Sequence, residues 1–364
     1  MSSIANGTKH KLAGTSTSTP SDQHLAAILP SKGSSLTITH RPTPTPGPNE
    51  LLIQVRSIAL NPIDCYQRDR GIAIASYPAV LGSDVAGTVI AAGSSVPADA
   101  PQLGTRVAAF APCFFVQGVP DYGAFQTRVL VPAVNAVPLP QWISFNEASL
   151  LPMAVVTAWA GCYTLGVPRD TAYGPADKKG ILIWGGASSI GSAAVQLARS
   201  MGFRIYVTAS EKHHAYLKGL GATKVFDYRS GDPVGSIVKA AKEDGVTVQV
   251  GFDAVGQMKS CLEILKEAKA EGTTAKLASA IPLSEDSPKL EGVEVKFVAV
   301  PEDENEMTEH FRFVFTVWLK EKLENGEYVP SPKIQVVEGG LQSAQKGLDE
   351  LKSGVSGVKL VLEV

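Results

Sequence analysis

The chain has 364 residues, 44% of them hydrophobic, with 33 basic against 35 acidic side chains and a net charge of −2. That length exceeds one compact core of average size and suits two domains. A mean hydropathy of +0.07 and the balanced charge predict a water-soluble protein with no strong field toward nucleic acid or anionic membrane.

Residues 1–24 are rich in Ser, Thr, Gly and Lys with few apolar positions, and are read as a disordered tail. The tail holds no apolar signal segment, and no uninterrupted apolar run reaches the roughly 20 residues of a bilayer span, so a cytoplasmic protein is expected. Between residues 25 and 152, short strands are predicted at Leu51–Ile58, Val85–Ala91, Arg106–Phe110 and Phe125–Val131. Pro- and Gly-rich turns separate them, and Pro42, Pro44, Pro46 and Pro48 around Gly47 mark a loop. This is the texture of an all-β unit.

The texture changes at Ile181. Four apolar residues, Ile181–Trp184, read as a buried strand, and Gly185-Gly186-Ala187-Ser188-Ser189-Ile190-Gly191 as a glycine-rich turn. Ser192–Arg199 then has helical spacing. The turn departs from the strict G-x-G-x-x-G pattern, and alone it could be a tight turn needing small residues. Strands predicted at Arg204–Ala209, Lys224–Tyr228, Val246–Val255, Ala275–Ala280 and Val293–Val300 alternate with helices at Lys212–Gly221, Pro233–Lys242 and Met258–Ala268. That alternation predicts an α/β fold, a doubly wound parallel sheet over 153–300. The turn then sits where such sheets offer helix N–H groups to a pyrophosphate. A helix Glu306–Asn325, a strand Lys333–Val337, a helix Leu341–Leu351 and a strand Lys359–Val364 follow. Residues 301–364 are expected to return and complete the first domain, leaving a cleft between the two.

Cys65, Cys113, Cys162 and Cys261 lie far apart with no C-x-x-C pair, which argues against a disulfide framework or a four-thiolate zinc lobe. His213 and His214 are adjacent at a helix start, where a surface position near an adenosine outweighs metal binding.

Several phrases in a fixed order carry a resemblance. They are Asn61-Pro-Ile-Asp64, Leu81-Gly-Ser-Asp-Val-Ala-Gly87, Gly104-Thr-Arg-Val107, Gly123-Ala-Phe-Gln126, Ala148-Ser-Leu-Leu-Pro-Met153, Thr157-Ala-Trp159 and Gly354–Leu362. With the glycine-rich turn they make the chain similar to the medium-chain dehydrogenase/reductases, over nearly everything after residue 25. That resemblance implies a GroES-like β domain, a Rossmann domain and a cofactor in the interdomain cleft. Within the superfamily the chain most resembles the zinc-free quinone-oxidoreductase-like branch, and there the fungal stand-alone trans-acting enoyl reductases. Zinc-dependent relatives carry a cysteine where this chain has Asn61–Asp64, and Gly-His-Glu where it has Gly82-Ser83-Asp84. Asp84 alone lacks the thiolate and imidazole partners of a tight zinc site, so no metal is expected.

The resemblance places a pyrophosphate on the backbone of Ala187, Ser188, Ser189, Ile190 and Gly191. It places Thr157, Asn61 and Asp64 near the nicotinamide, although the last two could instead be plain turn formers. Ala278, Val355 and Ser356 carry over as further cofactor contacts. An NAD site puts an acid at the tip of the second strand; here the tip is Ser210-Glu211-Lys212, with Tyr228 and Arg229 following the third strand. A hydroxyl and an ammonium suit a 2′-phosphate, so NADPH is expected. Glu211 is the counter-signal, readable as an acid favoured at a helix start.

Without a metal, the hydride acceptor must already be electrophilic: a C=C conjugated to a carbonyl or thioester, or a quinone. Tyr66 is the best-placed acid by analogy, Tyr77 the next, and water can serve instead. Cys65 has no histidine partner and is not expected to be a nucleophile. Met153, Trp159, Phe110 and Tyr122, with Phe114 and Phe115, either line a pocket for a hydrophobic substrate or fill the interdomain core. The expected function is reduction of an activated double bond, with a small or carrier-bound substrate and a polyketide synthase partner. A quinone oxidoreductase and a non-catalytic NADPH-binding protein are the alternatives. Monomer and homodimer both stay open.

Overall fold

The computed structural model describes residues 22–364. In chain order the first half holds β1 (Gln23–Leu29), β2 (Thr37–Pro42), β3 (Glu50–Ala59), α1 (Pro62–Arg70), β4 (Ala79–Val80), β5 (Asp84–Ala92), β6 (Arg106–Phe110), β7 (Arg128–Pro132) and β8 (Ala136–Pro138). The predicted tail falls outside the described residues up to position 21. Its end needs correcting, because Gln23 and His24 already belong to β1. The His24 ring is buried and 2.8 Å from Gln126 Oε1, which anchors the strand inward.

Two helices, α2 (Phe145–Ala148) and α3 (Pro152–Leu165), lead into the second half. There β9 (Lys179–Trp184), α4 (Ser189–Ser200), β10 (Arg204–Thr208), α5 (His214–Leu220), β11 (Lys224–Phe226), α6 (Pro233–Glu243), β12 (Thr247–Asp253), α7 (Met258–Ala268), β13 (Ala275–Ser279) and β14 (Val293–Phe297) alternate. Their sheet order is β11-β10-β9-β12-β13-β14, with every pairing parallel. This is the doubly wound arrangement in which the order reverses beside the first strand, opening a crevice at its carboxyl end. The glycine-rich turn after β9 lies at that reversal.

The chain then runs through α8 (Glu304–Arg312), a π-helical stretch Phe313–Leu319 and α9 (Lys320–Glu324), the single helix expected there with its middle widened. It ends with β15 (Lys333–Val336), α10 (Ala344–Ser353) and β16 (Val358–Glu363). The last two strands join the antiparallel sheet, whose order is β15-β16-β3-β5-β6-β8 with β7 beside β3. The C-terminus therefore shares a sheet with the N-terminal half.

One apolar cluster runs from Ala86, Ala108 and Phe110 of the antiparallel sheet through α3 and Val195 of α4 to Ile205 of the parallel one. The stretch Phe145–Leu165 is long and apolar enough to cross a membrane by composition, yet 83% of its most apolar window is buried inside the fold as core. α3 is thus the bar between the two sheets, and both halves of the site touch it.

Candidate active site

The turn after β9 is built around two glycines. Gly185 has φ +87°, which a side chain disfavours, and a Cβ on Gly191 would lie 2.3 Å from the Gly185 carbonyl oxygen. Ser188 caps α4, its hydroxyl accepting from Gly191 N at 3.1 Å. Ser189 and Ile190 open the helix, so their N–H groups have no carbonyl one turn back to bond. Two free donors at a positive helix end, approached over glycine, fit a pyrophosphate.

The tip of β10 comes next to this turn. Ser210 is buried, Lys212 is exposed, and Tyr228 is exposed under the Arg229 guanidinium. Glu211 begins a short 3-10 turn, its N–H 3.3 Å from Asp227 Oδ2, and its side chain is exposed. The C-terminal loop reaches the same place, with Ser356 Oγ 3.3 Å from His213 Nε2. His213 and His214 are thus a structural part of this corner, and His214 Nε2 lies 3.1 Å from the Ala209 carbonyl. Ala278 lies inside β13, within the strand expected there, fully buried and paired with Phe252 on one side and Lys296 on the other.

At the other end of this region, against the start of α3, lies a buried polar cluster, only partly foreseen. Register places Ala59 of β3 opposite Asp84 of β5 and Val361 of β16, so Lys359 comes alongside Asn61. Lys359 Nζ donates to Asn61 Oδ1 at 2.6 Å and lies 3.5 Å from Asp84 Oδ2. Asn61 Nδ2 donates to Asp84 Oδ2 at 2.9 Å, and Met153 N at the start of α3 donates to Asp84 Oδ1 at 2.6 Å. Burial pushes the Asp84 carboxyl upward, and Lys359, Asn61 and the Met153 N–H pull it back. Asp64 accepts from Asn61 N at 2.8 Å, closing the start of α1, while its Oδ1 is buried without a partner. Burial chiefly, and then the Asp84 charge, raise it to about 7 against the pull of the Asn61 N–H. Asn61 and Asp64 are therefore turn formers and members of a charged cluster at once.

The acid candidates separate. Tyr66 is half-buried on α1, its ring 5.2 Å from the Arg70 guanidinium carbon. Tyr77 packs its hydroxyl against Gly71 in a surface loop. Cys65 Sγ bonds the Leu348 carbonyl and its thiol is pushed up to about 11 by burial, so it is held protonated.

Met153 and Thr157 lie one turn apart on the same face of α3, both half-buried. Three aromatics leave the substrate set. Phe110 is fully buried, stacked on Phe311 and edge-on to Phe114 and Phe115. Trp159 is equally enclosed, against Phe313 and Trp318. Both fill the core between the halves. Tyr122 bonds Glu50 Oε1 at 2.7 Å, at the far end of β3 from Asn61. About ten residues of strand, roughly 30 Å, separate it from the cluster.

The donor set does not suit a resident metal. The oxygens of Asp84 are engaged by Lys359, Asn61 and the Met153 N–H. Cys113 bonds the Val80 carbonyl, and its thiol is pushed up to about 12. Among the described residues no group of three or more His, Cys, Asp and Glu is placed to hold an ion. The cation beside Asp84 is an ammonium.

Comparison with known proteins agrees with this geometry. The alcohol dehydrogenase GroES-like domain family matches residues 47–141, and the zinc-binding dehydrogenase family matches residues 189–307. The chain belongs to the medium-chain dehydrogenase/reductase superfamily. It is 47% identical over 342 residues to the trans-enoyl reductase tndF of Aspergillus flavipes, covering 93% of this chain and 99% of that protein. Against the trans-enoyl reductase tazE of Aspergillus terreus the figures are 48% over 278 residues, 76% and 91%. An alcohol dehydrogenase superfamily protein from Novosphingobium aromaticivorans shares the fold with a TM-score of 0.76 at 23% identity, over 94% of this chain and 99% of that one. Members of the superfamily use NAD(P)H, and this medium-chain enzyme is an oxidoreductase.

Proposed function

We propose that this medium-chain reductase is a trans-acting enoyl reductase that uses NADPH to saturate a C=C conjugated to a thioester on a chain carried by a polyketide synthase. The observation that carries the reading is the pairing of the glycine turn with the proton-holding Asp64–Asn61–Asp84–Lys359 cluster, joined by α3. Similarity to two trans-enoyl reductases at 47% and 48% identity supports the substrate class. When bound, NADPH supplies the hydride that adds to the β carbon.

Everything else is the work of this chain. Ser189 and Ile190 N–H groups and the bare Gly191 hold the pyrophosphate, while Ser210 and Lys212 select the 2′-phosphate, with Tyr228 and Ser356 at the same corner. Thr157 and Met153 set the nicotinamide end from α3. The buried cluster fixes the start of that helix through Asp84. Tyr66 is the acid that gives the α carbon its proton, and the enzyme's location is the cytoplasm, beside its synthase.

NADPH oxidation with an enoyl N-acetylcysteamine thioester, set against a quinone panel, tests the reading. Saturation of the thioester with quinones inert is expected. Quinone turnover alone would assign the other reductase class, and tight NADPH binding without turnover of either would assign a binding protein. A preference for NADH by about tenfold, 1.4 kcal/mol, would refute the roles of Ser210 and Lys212.

A further inference from the structure

A cavity of about 320 Å³ opens at the C-terminal end of α3, lined in part by Trp159, Tyr163, Val167, Pro168, Arg169 and His310. No residue of the glycine turn or of the Asp84 cluster borders it. Along α3 its lining runs from about 9 Å to about 20 Å beyond Met153, from Trp159 to Gly166, at 1.5 Å per residue.

Three unsatisfied nitrogens belong to residues of its lining. Trp159 Nε1 and both ring nitrogens of His310 are buried without a hydrogen-bond partner, three of seven such side-chain atoms among the described residues. Trp159 is 2% exposed and His310 1%. Interiors rarely tolerate this, since an unpaired buried polar group carries its desolvation cost with nothing to offset it. Burial, and then the nearby Arg169, bring the His310 imidazole down to about 4, so it is neutral with one nitrogen donating and one accepting. Arg169 adds a cation at the rim. Its guanidinium lies over the Phe313 ring at 4.6 Å, and its nearest acid, Glu309, is 4.0 Å away. That carboxylate already takes bonds of 2.6 and 2.8 Å from Arg312.

We propose that this cavity binds a small carboxylate with an apolar body. Its oxygens take the Trp159 indole N–H, a His310 N–H and the Arg169 guanidinium, and its body lies on Val167, Pro168 and Tyr163. The nitrogens are covered as the structure stands, so entry requires a lining group to move. Tyr163 is the one to swing, half exposed and edge-on to the imidazole with ring centroids 6.1 Å apart.

The test is calorimetric titration of the full chain, saturated with NADPH, with benzoate and hexanoate against the uncharged benzamide and hexanamide. Saturable binding of one carboxylate per chain is expected, with the matching amide about tenfold weaker or worse. Arg169→Gln and His310→Phe should each weaken it tenfold without changing NADPH affinity, and bound carboxylate should raise the melting temperature by mass action. The proposal is overturned if neither carboxylate saturates at tenfold above a Kd of about 1 mM, or if Arg169→Gln binds as well as the parent. It is equally overturned if carboxylate competes with NADPH, or if a crystal soaked in carboxylate shows only ordered water bridging the three nitrogens.

Discussion

Replacing Lys359 by Met tests whether the buried cluster at the head of α3 is held by charge. The ammonium donates to Asn61 at 2.6 Å and faces Asp84 at 3.5 Å, all three side chains being buried. Methionine keeps the length and apolar stem of the side chain but leaves a buried carboxylate without its cation. Breaking such a pair costs about 3–5 kcal/mol. Asp84 has an escape, which is to take up a proton. From the ordinary carboxyl value of 3.8, protonation at pH 7 costs at most about 4 kcal/mol, and at pH 5 about 2. The loss should therefore be roughly 3–4 kcal/mol at pH 7 and about half that at pH 5. At about 2 °C per kcal/mol for a chain of this size, the neutral-pH melting temperature should fall by about 6–8 °C. Thermal unfolding by circular dichroism at both pH values reads it, and adding Asp84→Asn to the variant should recover most of the loss, because no charge is then stranded. A loss below about 1 kcal/mol, equal losses at the two pH values, or additive losses in the double variant would refute the reasoning.

Asp64 makes a prediction of opposite pH sense to ordinary surface carboxylates. Its folded value near 7 lies above the unfolded 3.8, so the folded state binds the extra proton and stability falls as pH rises from about 4 to 7, by up to roughly 4 kcal/mol. Asp64→Asn should flatten that part of a urea-midpoint profile, and an unchanged slope would show that Asp64 titrates normally. Gly191→Ala drives a Cβ to 2.3 Å from the Gly185 carbonyl oxygen, so NADPH affinity by fluorescence titration should drop at least about tenfold. An unaltered Kd would remove the turn from the cofactor site. Tyr66→Phe should lower kcat on the enoyl thioester by about 10²-fold or more with KM held, and full kcat would pass the proton-donor role to water.

The parallel half was legible because four of its six strands, β9 to β12, are short runs each closed by a helix, and that alternation survives errors of two or three residues at the ends. The elements that escaped did so for physical reasons. α3 is apolar on every side, ten of its fourteen residues being buried, and a helix without a polar face has no period to detect. β1 begins with polar Gln23 and His24, and the histidine is buried only because Gln126 and Thr43, far along the chain, meet its ring. The aromatics were ambiguous in principle, since a pocket wall and a core have the same composition.

Lys359 marks the boundary of what a sequence can say about this site. An ammonium within Val358-Lys-Leu-Val-Leu362 contradicts its surroundings, as does a carboxylate at the head of Asp84-Val-Ala. Buried charges are too costly to stand alone, so each implies a partner. Read together, two such contradictions of opposite sign already predict an ion pair, although 275 positions separate them and no local rule joins them. What pairing alone supplies is register, because Val361 opposite Ala59 is what brings Lys359 to Asn61. The same register sends Ser356, shortly before the strand, to His213 at the tip of β10. One short stretch at the end of the chain thus ties both sides of the crevice. A slip of one residue in β16 would turn Lys359 to the opposite face of the sheet and leave Asp84 without its cation, so holding that register is what the buried pair does for the site.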